Sequence, residues 1–374
     1  MAEKKLAIIE SQFMVNYNAP ENGVTVGGTQ RYANQLGKLF VQMGYEVIFL
    51  TKACREMSFQ YEDIGLVQTL TAKYGSRGNR EFSKKVYEFA VSNGCDFVCY
   101  SDLAIARWKC YPKSFALQHG IAWDGPARRL VTRLQNRTDL KAAEKLAKIV
   151  CVDTNFINWA RLKDKNYFSH PGKYVYVPNF ADCQQFPYTY RQWTKEEPFV
   201  LLYPRRMVKH RGFSLFIQIC ERLQEDGYPI KPVLAIEKAA HGKAVDRLKS
   251  CKCEYTIVHP EMDEIAQYYR EAFISYVPTL WSEGTSLSAI EAMCSACPVL
   301  VTDVGGLGNI VIPDFNGAIL PYDVDAFVEE TKRIMDDPEI RNKWARNCEQ
   351  LRPSFDIERW GRSIKAIVRD ITEE

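Results

Sequence analysis

Short apolar runs alternate with amphipathic stretches along most of the 374 residues. Leu6-Ala7-Ile8-Ile9 is the first run; it stops at Glu10 and predicts a buried strand. From Tyr32, the positions Ala33, Leu36, Leu39, Phe40 and Met43 recur at the spacing of one helix face, and Gly44 suits the stop. Glu46-Val47-Ile48-Phe49-Leu50-Thr51 predicts the next strand. Between the first strand and the helix, residues 16–28 are rich in Asn, Pro and Gly. Strand, glycine loop, helix and strand together make a βαβ unit.

Further strands are predicted at Phe97-Val98-Cys99-Tyr100, Ser114-Phe115-Ala116-Leu117, Ile149-Val150-Cys151-Val152 and Tyr174-Val175-Tyr176-Val177. After Pro178 the texture changes, and residues 184–198 are polar and aromatic with little periodicity, as in an interdomain linker. A second alternation follows, with strands predicted at 199–203, 233–236, 255–258, 273–277 and 298–302. Helical segments, such as 215–223 and 263–269, separate them. This order predicts parallel sheets covered by helices, so the fold class is α/β. One domain spans residues 1–190 and a second spans 191–354.

Composition narrows the function classes. The 49 basic and 46 acidic residues leave a net charge of +3, too balanced to argue for nucleic acid. No apolar run approaches the roughly 18 residues that a spanning helix needs, which predicts a cytoplasmic protein. Among the 12 cysteines, only Cys251-Lys252-Cys253 and Cys294-Ser295-Ala296-Cys297 are close pairs. Neither has a partner pair at zinc-finger spacing, and the five histidines are scattered, so no metal site is expected. A basic stretch (Arg128, Arg129, Arg133, Arg137, Lys141, Lys145, Lys148) reads first as a solvated helical face. Its second reading is contact with a membrane surface.

Three segments carry candidate chemistry. Glu283-Gly284-Thr285-Ser286-Leu287-Ser288-Ala289-Ile290-Glu291 reads as a loop running into a helix. Glu291 then lies about two turns in, at about 3.6 residues per turn. The N–H groups of Gly284 to Leu287 at such a helix start have no internal partner and suit an anion, and the flanking carboxylates suit hydroxyls. Arg205-Arg206-Met207-Val208-Lys209-His210-Arg211-Gly212 follows a predicted strand and could neutralise a diphosphate. Gly27-Gly28-Thr29-Gln30 permits close backbone approach, but it is not the GxGxxG of a dinucleotide reader.

Together these segments resemble the retaining glycosyltransferases of family 4. Gly27-Gly28-Thr29-Gln30-Arg31 is similar to that family's amino-terminal glycine loop. Arg206 and Arg211-Gly212 are similar to its Arg and Lys-Gly phosphate pair. Glu283 through Glu291-Ala292-Met293 matches its Glu-x7-Glu signature, and the strand and glycine loop from Pro298 to Gly306 follow in order. The resemblance implies the GT-B architecture, two Rossmann-like domains facing a central cleft, with a terminal helix at about 355–374 packing back on the first domain. It also implies a metal-independent hexosyltransferase that needs no cofactor. The donor would be a UDP- or GDP-sugar, and the acceptor a glycan or lipid-linked hydroxyl in cell-envelope polysaccharide or glycolipid synthesis. Such an enzyme would work in the cytoplasm or at the inner face of its membrane.

Residue by residue, Arg206 and Arg211 would hold the donor diphosphate, assisted by Gly284 and the amides of Thr285, Ser286 and Leu287. Glu291 would accept from the ribose, Glu283 from the transferred sugar. His119, in Gln118-His119-Gly120, would face the donor sugar, and Gly27 and Gly28 the phosphate and acceptor. The departures are Arg211 in place of Lys, and Ala235-Ile236-Glu237-Lys238 in place of a glycine-rich turn. The weighed alternatives are a nicotinamide-dependent oxidoreductase and a non-catalytic sugar-binding protein.

Overall fold

A computed structural model describes residues 4–25, 27–121, 123–124 and 138–373. They divide into two compact units. The first is drawn from Met1–His119, Arg128–Val177 and Gly361–Glu374, the second from Gly120–Ala127 and Pro178–Trp360.

The first unit is built on an eight-stranded sheet. Its strands are β1 (Lys4–Ile9), β2 (Tyr45–Ala53), β3 (Ser58–Tyr61), β4 (Gly65–Thr71), β5 (Phe97–Tyr100), β6 (Ser114–Gln118), β7 (Lys148–Cys151) and β8 (Tyr174–Tyr176). Their order is β3-β4-β2-β1-β5-β6-β7-β8. Leu6 of β1 pairs with Val47 of β2 on one side and Phe97 of β5 on the other, both in parallel. Helices Gly28–Gln42 and Asn79–Ser92 bury apolar faces, including Leu36, Phe40, Phe82 and Val86. A strand covered on both faces has no polar side, which explains the continuous apolar runs of β1 and β5.

Two features differ from the sequence expectation. β3 runs antiparallel to β4 at the edge of the sheet, so this sheet is not wholly parallel. Its side chains alternate between exposed and partly buried, and an edge strand of this kind leaves no apolar run to detect. Of the basic stretch, Arg128, Arg129, Arg133 and Arg137 lie outside the described residues. Lys145 donates to the carbonyls of Arg107 and Trp108 at 2.7 and 3.1 Å, and Lys148 pairs with Asp370 at 3.4 Å. Those two lysines serve the fold, whereas Lys141 is exposed.

The second unit holds six strands, all parallel: β9 (Phe199–Tyr203), β10 (Ile230–Ala235), β11 (Thr256–Val258), β12 (Ile274–Val277), β13 (Val299–Thr302) and β14 (Gly317–Leu320). The order β11-β10-β9-β12-β13-β14 reverses direction between β9 and β12. Ligands of open parallel sheets bind where the order reverses, outside the carboxyl ends of the strands. The segments leaving β9 and β12 are those of Arg205–Arg211 and Glu283, so topology alone draws them together.

Residues 184–198 do not form a loose linker. Phe186 and Trp193 are buried in cores of the second unit, and Trp193 exchanges two hydrogen bonds with Asn342, at 2.9 and 3.0 Å. Arg341, also buried, donates to the carbonyls of Arg191, Ala272 and Phe273. Aromatic side chains dispersed without period can still dock singly on a finished core, and burying each ring contributes about 1.5–3 kcal/mol. The last helix, Ile357–Glu373, begins in the second unit and belongs to the first from Gly361 on.

Candidate active site

Helix Leu287–Cys294 starts immediately after the loop that leaves β12. Ser286, its N-cap residue, contributes no side-chain cap, and the first turn of a helix has no internal acceptors for its N–H groups. Glu283 precedes this helix, is only 7% exposed, and accepts hydrogen bonds from Arg205, Arg211 and, at 2.8 Å, Thr279. Burial acts to raise its carboxyl, but the two guanidiniums outweigh that effect and hold it below the ordinary carboxylate range. Glu283 is therefore ionised and fixed.

Glycine surrounds the Glu283 peptide. Gly306 donates its N–H to the Glu283 carbonyl at 3.0 Å. Gly305 has φ of 53°, and a Cβ there would lie 1.9 Å from that same carbonyl oxygen. Gly120 has φ of 118°, and a Cβ there would meet the Gly284 nitrogen at 2.7 Å. Neither position admits a side chain. Two residues beyond the sequence motif support the loop. Ser282, at φ of 58°, donates its N–H to Asp124 Oδ1 at 3.0 Å. Asn179 donates to both the hydroxyl and the carbonyl of Thr285, at 2.8 and 2.6 Å.

Glu291 is buried and accepts the Tyr269 hydroxyl at 3.1 Å. The motif segments after β9 and β12 thus meet: Glu283, Arg205 and Arg211 form one ion cluster beside the helix that carries Glu291. Arg206 is exposed, and its side chain has no hydrogen bond or ion pair among the described residues, which leaves it open to a ligand. Ser286 accepts from Arg205, and Ser288 from the same helix start donates to the Pro204 carbonyl at 3.0 Å. In place of the missing glycine turn, Glu237 accepts the Met207 N–H at 3.0 Å and ties the loop after β10 to the arginine segment.

In the first unit, Gly27 stands at the N-cap of helix Gly28–Gln42 and a Cβ on Gly28 would enter open space. His119 follows β6. Burial pushes its pKa down to about 4, against a hydrogen bond to the Ser101 backbone that favours the charged ring. The imidazole is neutral at pH 7. Its Nε2 is buried with no partner among the described residues, and the Tyr32 ring stands edge-on to it at 5.3 Å.

Asp124 is absent from the sequence-based site, and Arg205 stands there only as one of the basic segment, with no role of its own. Consecutive residues of an extended segment point to opposite sides, so of Arg205 and Arg206 one must turn inward, but composition cannot say which. Asp124 reaches Ser282 across 158 residues of sequence, and no local pattern records that. The scattered histidines also hide a pair, since His241 Nδ1 and His259 Nε2 lie 2.8 Å apart. All 12 cysteines are free, and no group of three potential metal ligands occurs among the described residues. The one Asp-x-Asp, Asp323-Val324-Asp325, is used structurally: Asp323 caps a helix at Ala326, and Asp325 pairs with Arg222 at 3.3 Å.

Residues 190–351 match the family model of glycosyl transferases group 1. The matched residues lie within the second unit. An uncharacterised glycosyltransferase of Methanocaldococcus jannaschii, MJ1178, is 26% identical over 142 residues, 35% of this chain and 39% of the relative. The UDP-Gal:alpha-D-GlcNAc-diphosphoundecaprenol alpha-1,3-galactosyltransferase of Escherichia coli is 21% identical over 246 residues, 62% of each chain. The chain thus matches between about two fifths and three fifths of the length of these curated relatives. Among solved structures, sucrose-phosphate synthase of Thermosynechococcus elongatus superposes with a TM-score of 0.77 at 18% identity, over 98% of this chain and 99% of that one. Anabaena HepE, solved in complex with UDP-glucose, gives a TM-score of 0.69 at 13% identity, over 98% and 99%. These likenesses show a GT-B fold. Among the described residues, no helix is long and apolar enough to cross a membrane.

Proposed function

We propose that this chain is a retaining glycosyltransferase of family 4 that moves a hexose from a UDP- or GDP-sugar to an acceptor hydroxyl without a metal ion. The observation that carries this reading is Glu283, an ionised carboxylate clasped by Arg205 and Arg211 at the start of the helix bearing Glu291. In the reaction the bond between the anomeric carbon and the diphosphate breaks, the acceptor oxygen bonds to the same face, and the departing phosphate takes the acceptor's proton. Negative charge grows on the leaving phosphate. The open Arg206, with Arg211 and the N–H groups of Ser286 and Leu287, suits that charge better in the transition state than before it. Glu283 faces the sugar, Glu291 the ribose, and the neutral His119 offers an unpartnered Nε2 to a sugar hydroxyl. Gly27 and Gly28 would face the phosphate and acceptor, with open space at Gly28.

The E. coli relative named for UDP-Gal and a diphosphoundecaprenol acceptor supports a lipid-linked acceptor. The deciding experiment is a hydrolysis and transfer screen over a panel of UDP- and GDP-hexoses, with and without chelator, and the product anomer read by NMR. Turnover of one donor with retained α configuration is the expected result. Inversion, or dependence on added metal, would overturn the mechanism; no turnover and no binding of any donor would overturn the function.

A further inference from the structure

Asp124 holds one oxygen in reserve. Its Oδ1 accepts the Ser282 N–H at 3.0 Å, whereas its Oδ2 is buried and has no partner among the described residues. Asp124 and Ser282 both belong to the second unit, and Ser282 is the residue immediately before Glu283. Burial raises the Asp124 carboxyl and the Glu283 charge adds to that, while the Ser282 N–H opposes it. An ionised carboxylate oxygen can only accept, so its missing partner is a donor. The neighbouring guanidiniums of Arg205 and Arg211 already serve Glu283.

From this geometry we infer that Asp124 determines sugar specificity, with Oδ2 accepting a hydroxyl of the donor's sugar beside Glu283. The inference rests on the donor-binding reading above. A phosphate cannot take this place, because two anions would face each other. A sugar hydroxyl brings one donor and no charge, and it is the group that a diphosphate-bound donor presents next to its anomeric carbon.

Asp124→Asn separates this role from simple support of the loop. The amide oxygen can still accept from Ser282, while the other atom becomes an NH2 donor. Calorimetry with UDP, GDP and the matching sugar nucleotides reads the two contributions separately. We expect the variant to bind the nucleoside diphosphate within about twofold of wild type and the sugar nucleotide about tenfold more weakly, about 1.4 kcal/mol. Unchanged affinity for both ligands would overturn the inference and leave the donor reading intact. So would an equal loss for both, which marks a role through Ser282 alone, or recovery of sugar-nucleotide affinity on adding Ser282→Gly, which relieves the positive φ. A wild-type chain that binds neither nucleotide nor sugar nucleotide would instead sink the donor reading, and this inference with it.

Discussion

The Tyr269 hydroxyl donates to Glu291 Oε2 at 3.1 Å, with both side chains buried in the second unit. Burial, reinforced by the Glu291 charge, drives the phenol well above its ordinary range, so Tyr269 stays a donor at any working pH. It fixes one oxygen of Glu291 and thereby the direction of the other. Tyr269→Phe removes that constraint while keeping the ring. We expect stability to fall by about 1 kcal/mol in urea melts. Nucleoside diphosphate affinity should weaken about fivefold by calorimetry, the equivalent of about 1 kcal/mol.

The two glutamates should fail differently. Glu291→Ala is expected to weaken nucleoside diphosphate binding, and unchanged affinity would remove it from the ribose contact. Glu283→Ala should lower turnover more severely, because it removes the carboxylate proposed to face the sugar and leaves Arg205 and Arg211 without their shared partner. Removing one member of a buried ion cluster typically costs about 3–5 kcal/mol. Thermal melts with Glu283→Gln therefore belong beside the kinetics.

Three groups in the first unit give stability a predictable pH dependence. His119 has a pKa of about 4 against an ordinary 6.5, so the unfolded chain binds the extra proton between those values and stability rises with pH there. Glu10, buried, and Asp139, half-buried, have carboxyls at about 7 against 4.5 and 3.8; they bind protons in the folded state and make stability fall as pH rises through 4.5 to 7. Between pH 4.5 and 6.5 the histidine offsets one of the two acids. Relative to wild type, Glu10→Gln should make the slope of stability against pH more positive by about 1.4 kcal/mol per unit, and His119→Gln more negative by about the same. Urea melts at pH 5 and 6.5 measure both, and identical slopes in all three proteins would refute the assignment. Full activity of His119→Gln would also take His119 out of the donor site.

Arg341 makes a separate structural prediction. Its guanidinium donates to three carbonyls between Trp193 and Phe273. Arg341→Ala leaves all three without a donor and should cost about 3 kcal/mol, at about 1 kcal/mol each. Urea melts test this, and a loss below about 1 kcal/mol would mean that water replaces the side chain.

Where burial is complete, the sequence was a good guide. β5 and β9 coincide with their predicted runs because every neighbour of such a strand is protein and only apolar residues fit. The segment from Glu283 to Glu291 is legible as a loop running into a helix because both are local. Legibility failed where a residue's role depends on distant partners. The choice between Arg205 and Arg206, the reach of Asp124 to Ser282, and the docking of Trp193 on Asn342 all depend on chain brought from far away. Strand β3 failed for another reason, since its edge position leaves half its side chains in water.

The main chain encloses the Glu283 peptide from two sides, at Gly120 and at Gly305, with no room for a side chain at either wall. For protein engineering this separates two design variables. The position of the Glu283 peptide is set by backbone, whereas its carboxylate is aimed by the side chains of Arg205, Arg211 and Thr279. Asp124, four residues beyond Gly120, is not part of that enclosure, so a library built there tests donor choice while the Glu283 peptide stays where it is.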